Sequence, residues 1–328
     1  MGVIELERAS LGNLVELDRG SQAVVFRAGE VTVPGVTGPF VYKEYLPKVR
    51  AGRHGIRNSL SGLIRIHQEQ ADKHRAMLDM RSAWPLAVVL QDGVALGLIM
   101  RELPQKYFTE IRFSTGRVKT VTCASALYLQ DDDELAARNL TLLTEAGRMW
   151  LMARTLSFMN LVHEIGLIVG DFSANNVVFH INAVDQTKNE LMFVDVDSFR
   201  LATGVPALAQ AHTPDWETPE SVRNASTYRA LVRSNAGAND LARAGAAMRV
   251  QDRASDVYKA ALFVMRNFHT GENAHSVMTS PGAFDRLAKI QPSFVPVLKR
   301  ALSEDPKARP TMNELTRAFV GNLAARKP

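Results

Sequence analysis

Apolar positions cluster in three short runs between polar, Gly and Pro positions: "GNLVELD" (12–18), "AVVFRA" (23–28) and "FVYKEY" (40–45). Each run is short, rich in β-branched or aromatic side chains and bounded by Gly or Pro, which predicts three strands. The Gly- and Pro-rich "VTVPGVTGP" between the second and third reads as a hairpin loop. A helical spacing follows. Leu60, Leu63, Ile64, Ala71 and Leu78 fall at helical spacings and predict one helix over 59–82. "WPLAVVLQDGVALGLIM" (84–100) returns to strand character and breaks at Asp92-Gly93, a dipeptide that predicts a tight hairpin.

After Met100 the pattern changes. "RELPQ" reads as a linker, and residues 104–143 are mixed. Their acidic run, Asp131-Asp132-Asp133-Glu134, reads as a solvated helix start. The stretch "TEAGRMWLMARTLSFMNLVHEI" (144–165) is apolar on most sides and predicts a buried helix whose methionines are core. Two strands, over 177–181 and 191–196, flank a polar hairpin, and the remainder is helical with irregular inserts. No internal repeat is present. The expected class is α+β: a β-rich lobe with one main helix over 1–103, then a larger, mostly helical lobe over 104–328. A ligand between two such lobes is the default expectation.

Composition narrows this only slightly. The 328 residues are 46% hydrophobic and 22% charged, ordinary for a globular protein with a proper core. The longest apolar stretch, near "YKAALFVM", is too short to span a bilayer. "MGVIELERAS" has early acids and no apolar segment, so no secretory leader is expected, and Leu6 breaks the N-acylation pattern that Gly2 would begin. Cys123 is the only cysteine, which excludes an internal disulfide and a Cys-rich metal site. A reducing cytoplasm and no membrane partner are expected. The net charge of +5 is spread along the chain without a dense basic block. That is compatible with an anionic ligand such as a nucleotide and equally with weak nucleic-acid attraction, and by itself it selects neither, although a nucleic-acid partner is not the expectation.

Five features carry candidate chemistry. Gly20, in "LDRGSQAVVF", sits in a turn where small residues let backbone N–H groups approach an anion. Lys43 lies mid-strand with Val41 and Tyr45 on its face, a costly place for an ammonium that meets no anion. Asp171 and Asn176 share the loop of "GLIVGDFSANNVVFH" (166–180). Asp195 follows the apolar "LMFV". Alone, each polar loop residue is an ordinary turn former. In this order they make an oxygen-rich set of the kind Mg²⁺ prefers when it also carries phosphate oxygens.

The ordered motifs resemble the protein kinase family, in a divergent bacterial-type form. "LDRGSQAVVF" resembles the glycine-rich loop, "VYK" the strand-three lysine motif and "VGDFSANN" the catalytic loop. "VDVDSF" stands where the metal-binding segment belongs, and "TPDWETPE" (213–220) resembles the end of the activation segment. "ASDVYKAALFV", with Asp256, resembles the large central helix; "LSEDPKARPT" (302–311) carries Arg309, the partner the family gives to Glu220. The resemblance covers about residues 14–320. It implies a bilobal kinase-like fold, ATP and Mg²⁺ as cofactors, and phosphoryl transfer to Ser/Thr hydroxyls of a protein substrate. Asp171 would be the base, with Lys43 and Asn176 beside it in catalysis. Gly20, Ser21, Val25, Lys43, Glu69, Met100 and Glu102 would bind the nucleotide, Glu69 by pairing with Lys43 from the helix. Asn176 and Asp195 would hold the metal, with Asp197 the second choice for Asp195.

Three departures shape the expectation. Only Gly20 of three loop glycines is kept, with Asp18 and Ala23 in the other places. Val169-Gly170 replaces the His-Arg before the base, which implies activity independent of activation-segment phosphorylation. Ser173 replaces the lysine two residues after it. A Gly before the Asp is also similar to small-molecule kinases, so a small-molecule hydroxyl kinase and a nucleotide-binding pseudokinase acting as switch or scaffold are the alternatives. The Arg-bearing insert 221–250 reads as a surface or docking segment rather than an RNA site.

Overall fold

A computed structural model of the chain describes residues 2–51, 55–113, 115–125, 132–203, 212–268 and 281–324. It is α+β and divides into two compact units: residues 1–105 with 192–209, and residues 106–191 with 210–328. The sequence division at 103/104 assigns 192–209 to the second body; the contacts group it with the first.

The first unit is built on a six-stranded sheet in the order β1-β5-β6-β4-β3-β2. Its strands are β1 (Glu5–Glu7), β2 (Leu14–Arg19), β3 (Ala23–Ala28), β4 (Phe40–Tyr45), β5 (Pro85–Gln91) and β6 (Val94–Arg101). All neighbours are antiparallel except β1 on β5. The β5–β6 turn closes because Asp92 and Gly93 both take left-handed conformations, φ 51° and 76°, as a two-residue hairpin requires. After β4, a one-turn helix α1 (Pro47–Arg50) leads toward α2 (Ile56–Glu69) and α3 (Asp72–Arg81). The single helix expected over 59–82 is therefore two. Gln70 and Ala71 are extended, ψ 148° and 149°, and Asp72 opens a new helix. Ile56, Leu60 and Ile64 of α2 pack with Ala23, Tyr45, Val88 and Leu98 on one sheet face. Leu11, Val31, Phe40, Tyr42, Ala87 and Ile99 build the core on the other. Segment 192–209 joins this unit through Ala83 N–H, which donates to Phe193 O at 2.9 Å, and through an edge contact of Trp84 and Phe199, centroids 6.2 Å apart.

In the second unit, β7 (Phe108–Phe113) and β8 (Gly116–Val121) form an antiparallel hairpin within the stretch whose pattern is mixed. Helix α4 (Asp132–Ala137) starts at the acidic run, of which Asp131 lies outside the described residues. The central helix is α5 (Glu145–Glu164). Thr144 caps it by accepting from Gly147 N–H at 3.1 Å, and its buried residues lie on all sides, as its near-continuous apolar sequence dictates. Short strands β9 (Leu167–Ile168), β10 (Val177–His180) and β11 (Glu190–Phe193) follow, with β10 paired to β11, while β12 (Arg200–Leu201) falls in the segment that belongs to the first unit. Helices α6 (Pro219–Arg233) and α7 (Ala238–Met248) pack as a hairpin, so the insert 221–250 is ordered helix, largely exposed. Helix α8 (Arg253–Phe268) is buried along most of its length. Helices α9 (Pro281–Ile290), α10 (Val295–Ala301) and α11 (Met312–Ala324) close the unit. No helix among the described residues is long and apolar enough to cross a membrane.

Candidate functional site

Lys43 is the centre of one constellation, in the first unit. In the β3–β4–β6 register it stands opposite Val25 and Leu98, and Val41 opposite Met100. Directly opposed residues share a face. Lys43, Val25 and Met100 therefore lie on the sheet face that α2 covers. Lys43 is 7% exposed. Its Nζ donates to Asp197 Oδ1 at 2.8 Å and to Asp195 Oδ1 at 2.9 Å. Burial alone would push the ammonium down; the Asp197 and Asp195 carboxylates outweigh it and hold the pKa well above the usual lysine value. Gly97 makes the strand pairing beside it possible. A Cβ there would sit 1.9 Å from the Lys43 carbonyl oxygen, so only glycine lets β6 approach β4 so closely.

Asp195 and Asp197 come from a tight turn after β11. The strand expected to run to 196 stops at Phe193, and Asp195 turns left-handed, φ 56° and ψ 36°. Its carbonyl accepts from Ser198 N–H at 3.1 Å and from Ser198 Oγ at 2.8 Å, which fixes the turn. The two carboxylates then part. The Asp197 side chain is 3% exposed, and its Oδ2 accepts from Tyr45 Oη at 2.8 Å. The Asp195 side chain is 55% exposed. The Lys43 charge holds the Asp195 carboxyl below its ordinary range.

Glu69 is not brought to Lys43. Glu69 is the last residue of α2 and is exposed, and the Lys43 ammonium goes to Asp195 and Asp197 instead. Gly20 closes the β2–β3 turn through its N–H to Ala23 O at 2.9 Å, without a left-handed φ, and Ser21 beside it is exposed. A Cβ on Gly20 would meet only Ala23 O at 3.7 Å, an ordinary contact, so this turn does not demand glycine. Glu102 pairs with Arg27, at 2.8 and 3.1 Å.

The second constellation is the loop 169–176, in the second unit. Gly170 is left-handed, φ 73°, which a side chain would strain. Helix α8 holds its backbone from both sides. Asp256, fully buried, accepts from Val169 N–H and Gly170 N–H, each at 2.8 Å, with His163 Nε2 2.8 Å from the same carboxylate. Lys259, also fully buried, donates to Gly170 O at 2.8 Å and to Gln251 Oε1 at 2.6 Å. Burial pushes Lys259 down to about 8, against the charges of Asp171, Asp256, Glu217 and Glu220. Phe172 anchors the loop below, edge-on to Trp216 and Phe263 at 5.8 and 5.5 Å.

Asp171 is half-buried, and its Oδ1 accepts from Thr213 Oγ1 at 2.9 Å. Asn176 Nδ2 donates to the Asp171 carbonyl at 2.8 Å, which sets the direction of the amide, whose oxygen is an acceptor and a hard ligand atom. Ser173 is fully buried, and its hydroxyl meets no hydrogen-bond partner among the described residues. Farther along, Arg309 forks onto Glu220 at 2.9 and 2.6 Å, so the expected partner of Glu220 is in place.

Tyr45, Thr213 and Lys259 were not singled out from sequence as functional. Only Lys259 leaves a signal there: a lysine inside the apolar "VYKAALFVM". Among the described residues no group of three or more His, Cys, Asp or Glu side chains is placed to hold a metal. Magnesium needs less when phosphate oxygens and water complete its shell. Asp195, in the first unit, and Asn176, in the second, each carry a hard oxygen of the kind Mg²⁺ takes. No protein-family model matches the chain, and comparison with curated proteins finds no match.

Proposed function

We propose that the protein is an ATP- and Mg²⁺-dependent phosphotransferase of kinase-like, bilobal type, acting on Ser/Thr hydroxyls of a protein. The observation that carries the reading is the Lys43 ammonium, buried mid-strand and held between one buried and one exposed carboxylate more than 150 residues away. A purely structural ion pair has no need of a second acid left half in water. Bound Mg²⁺ would screen the nucleotide's phosphate charge, with Asp195 and Asn176 as its protein ligands.

Lys43 binds the α- and β-phosphate oxygens. Asp171, oriented by Thr213, takes the proton of the acceptor hydroxyl as that oxygen attacks the γ-phosphorus and the bond to ADP breaks. The products are a phosphoester, ADP and a proton. Asp256 and Lys259 keep the loop in shape through its own backbone, which supports activity without activation-segment phosphorylation. Segment 204–211 lies outside the described residues.

A second reading, a nucleotide-binding pseudokinase, draws on Ser173. At this position a cation would aid transfer, and the chain puts a buried hydroxyl there. The test is γ-labelled ATP and Mg²⁺ offered with a protein pool and, separately, a panel of hydroxyl metabolites. Label on protein supports the proposal, and label on metabolites moves the acceptor class. Nucleotide binding without transfer or hydrolysis selects the pseudokinase.

A further inference from the structure

We infer that Asp197 is a built-in counter-ion for Lys43, positioning the lysine without any helix carboxylate, and that Asp195 alone of the pair is free for a metal. The inference rests on the phosphotransferase reading for what Lys43 does, but not for what holds it.

The two aspartates are alike in sequence and distance, and differ in everything else. Both oxygens of Asp197 are engaged, Oδ1 by Lys43 and Oδ2 by Tyr45, inside a core that leaves 3% of the side chain exposed. Tyr45 is itself fully buried, two residues from Lys43 on the same strand and face. Strand β4 thus supplies both groups that grip Asp197, and the grip is set by the pleat rather than by a mobile element. Asp195 has one oxygen on Lys43 and more than half its side chain open. A metal reaching Asp197 would have to displace a buried ammonium or phenol; one reaching Asp195 displaces water.

The arrangement removes a control point. A lysine positioned by a helix glutamate is positioned only when the helix is docked. Here α2 brings apolar side chains to the sheet, and its terminal Glu69 stays exposed. The lysine's position does not depend on a carboxylate from α2.

The experiment has two readouts on the full chain. The first is acylation of Lys43 by an amine-reactive ester, followed by peptide mass spectrometry without nucleotide, with fully buried Lys259 as the folding control. Asp197→Asn should speed Lys43 acylation about tenfold or more, the scale of one charge-assisted hydrogen bond, while Glu69→Ala leaves it unchanged. Tyr45→Phe, which removes one hydrogen bond and little volume, should give a smaller rise, and serves if Asp197→Asn does not fold. The second is ADP affinity with and without Mg²⁺. The enhancement by Mg²⁺ should survive Asp197→Asn and disappear in Asp195→Asn. Loss of that enhancement in Asp197→Asn, or acylation that answers to Glu69 and not to Asp197 or Tyr45, overturns the inference. Acylation that follows Asp197 in a protein that binds no ADP at all sinks the phosphotransferase reading and upholds the anchor.

Discussion

Replacing Lys259 with Met should change how stability depends on pH. In the native state Lys259 is fully buried and its pKa is lowered from 10.5 to about 8, because burial outweighs the surrounding carboxylates. The folded value lies below the unfolded one. Below pH 8 both states carry the proton, and the fold bears the full cost of an interior charge. Between about 8 and 10.5 the unfolded chain still binds the proton while the folded one has released it, so stability rises with pH. Each pH unit of that window is worth about 1.4 kcal/mol, so the whole is worth about 3 kcal/mol. Lys259→Met removes the titration and keeps the stem's volume. It also strands Gly170 O and Gln251 Oε1, a pH-independent loss of about 1–3 kcal/mol for a buried unsatisfied group. Urea unfolding followed by circular dichroism at pH 7, 8, 9 and 10 isolates the effect in the difference between wild type and variant, where other titrating groups cancel. That difference should move in favour of wild type by about 3 kcal/mol across the window. A difference that stays constant would refute the reasoning and place Lys259 at its ordinary value.

Other perturbations have equally definite outcomes. Arg309→Ala removes both hydrogen bonds to Glu220 and leaves a half-buried carboxylate unpaired, so thermal and urea unfolding should show a loss of about 3 kcal/mol. In the wild type, burial pushes Glu220 up, but the Arg309 hydrogen bond and charge hold it below the usual glutamate range. The pair's contribution is therefore present above the unfolded pKa and fades as pH falls through the folded one, which acid titration of wild type against variant would record. Gly97→Ala forces β6 away from the Lys43 carbonyl; the expected result is loss of ADP affinity, and unchanged affinity would show that the sheet absorbs the methyl. Gly170→Ala strains a left-handed residue at about 1–2 kcal/mol and should lower turnover more than ADP binding.

Legibility in the sequence followed the range of the interaction. Strands β3 and β4 appear there as they stand in the fold, because a β-branched or aromatic run and its Gly/Pro boundaries are local signals. So does the β5–β6 turn, where Asp92-Gly93 states its own left-handed geometry. Strand β1 does not: Glu5–Glu7 is three residues with two charges, and only β5 gives it a place. The break at Gln70 is invisible because Leu78 continues the helical spacing across it. The candidate site divides the same way. Asp171 and Asn176 are five residues apart and their loop is legible. The Lys43–Asp197–Tyr45 grip joins positions 152 and 154 residues apart, and no local pattern distinguishes Asp197 from Asp195. Burial separates them, and burial belongs to the whole unit.

The most direct measurement of the central claim compares wild type with Asp171→Asn in γ-phosphoryl transfer and in Mg²⁺–ADP binding, on the same preparations. The account predicts transfer by the wild type, a fall of about 10²–10⁴-fold in the variant, and equal ADP affinity in both. Undiminished transfer by Asp171→Asn, or a wild type that binds Mg²⁺–ADP and transfers nothing, would contradict it.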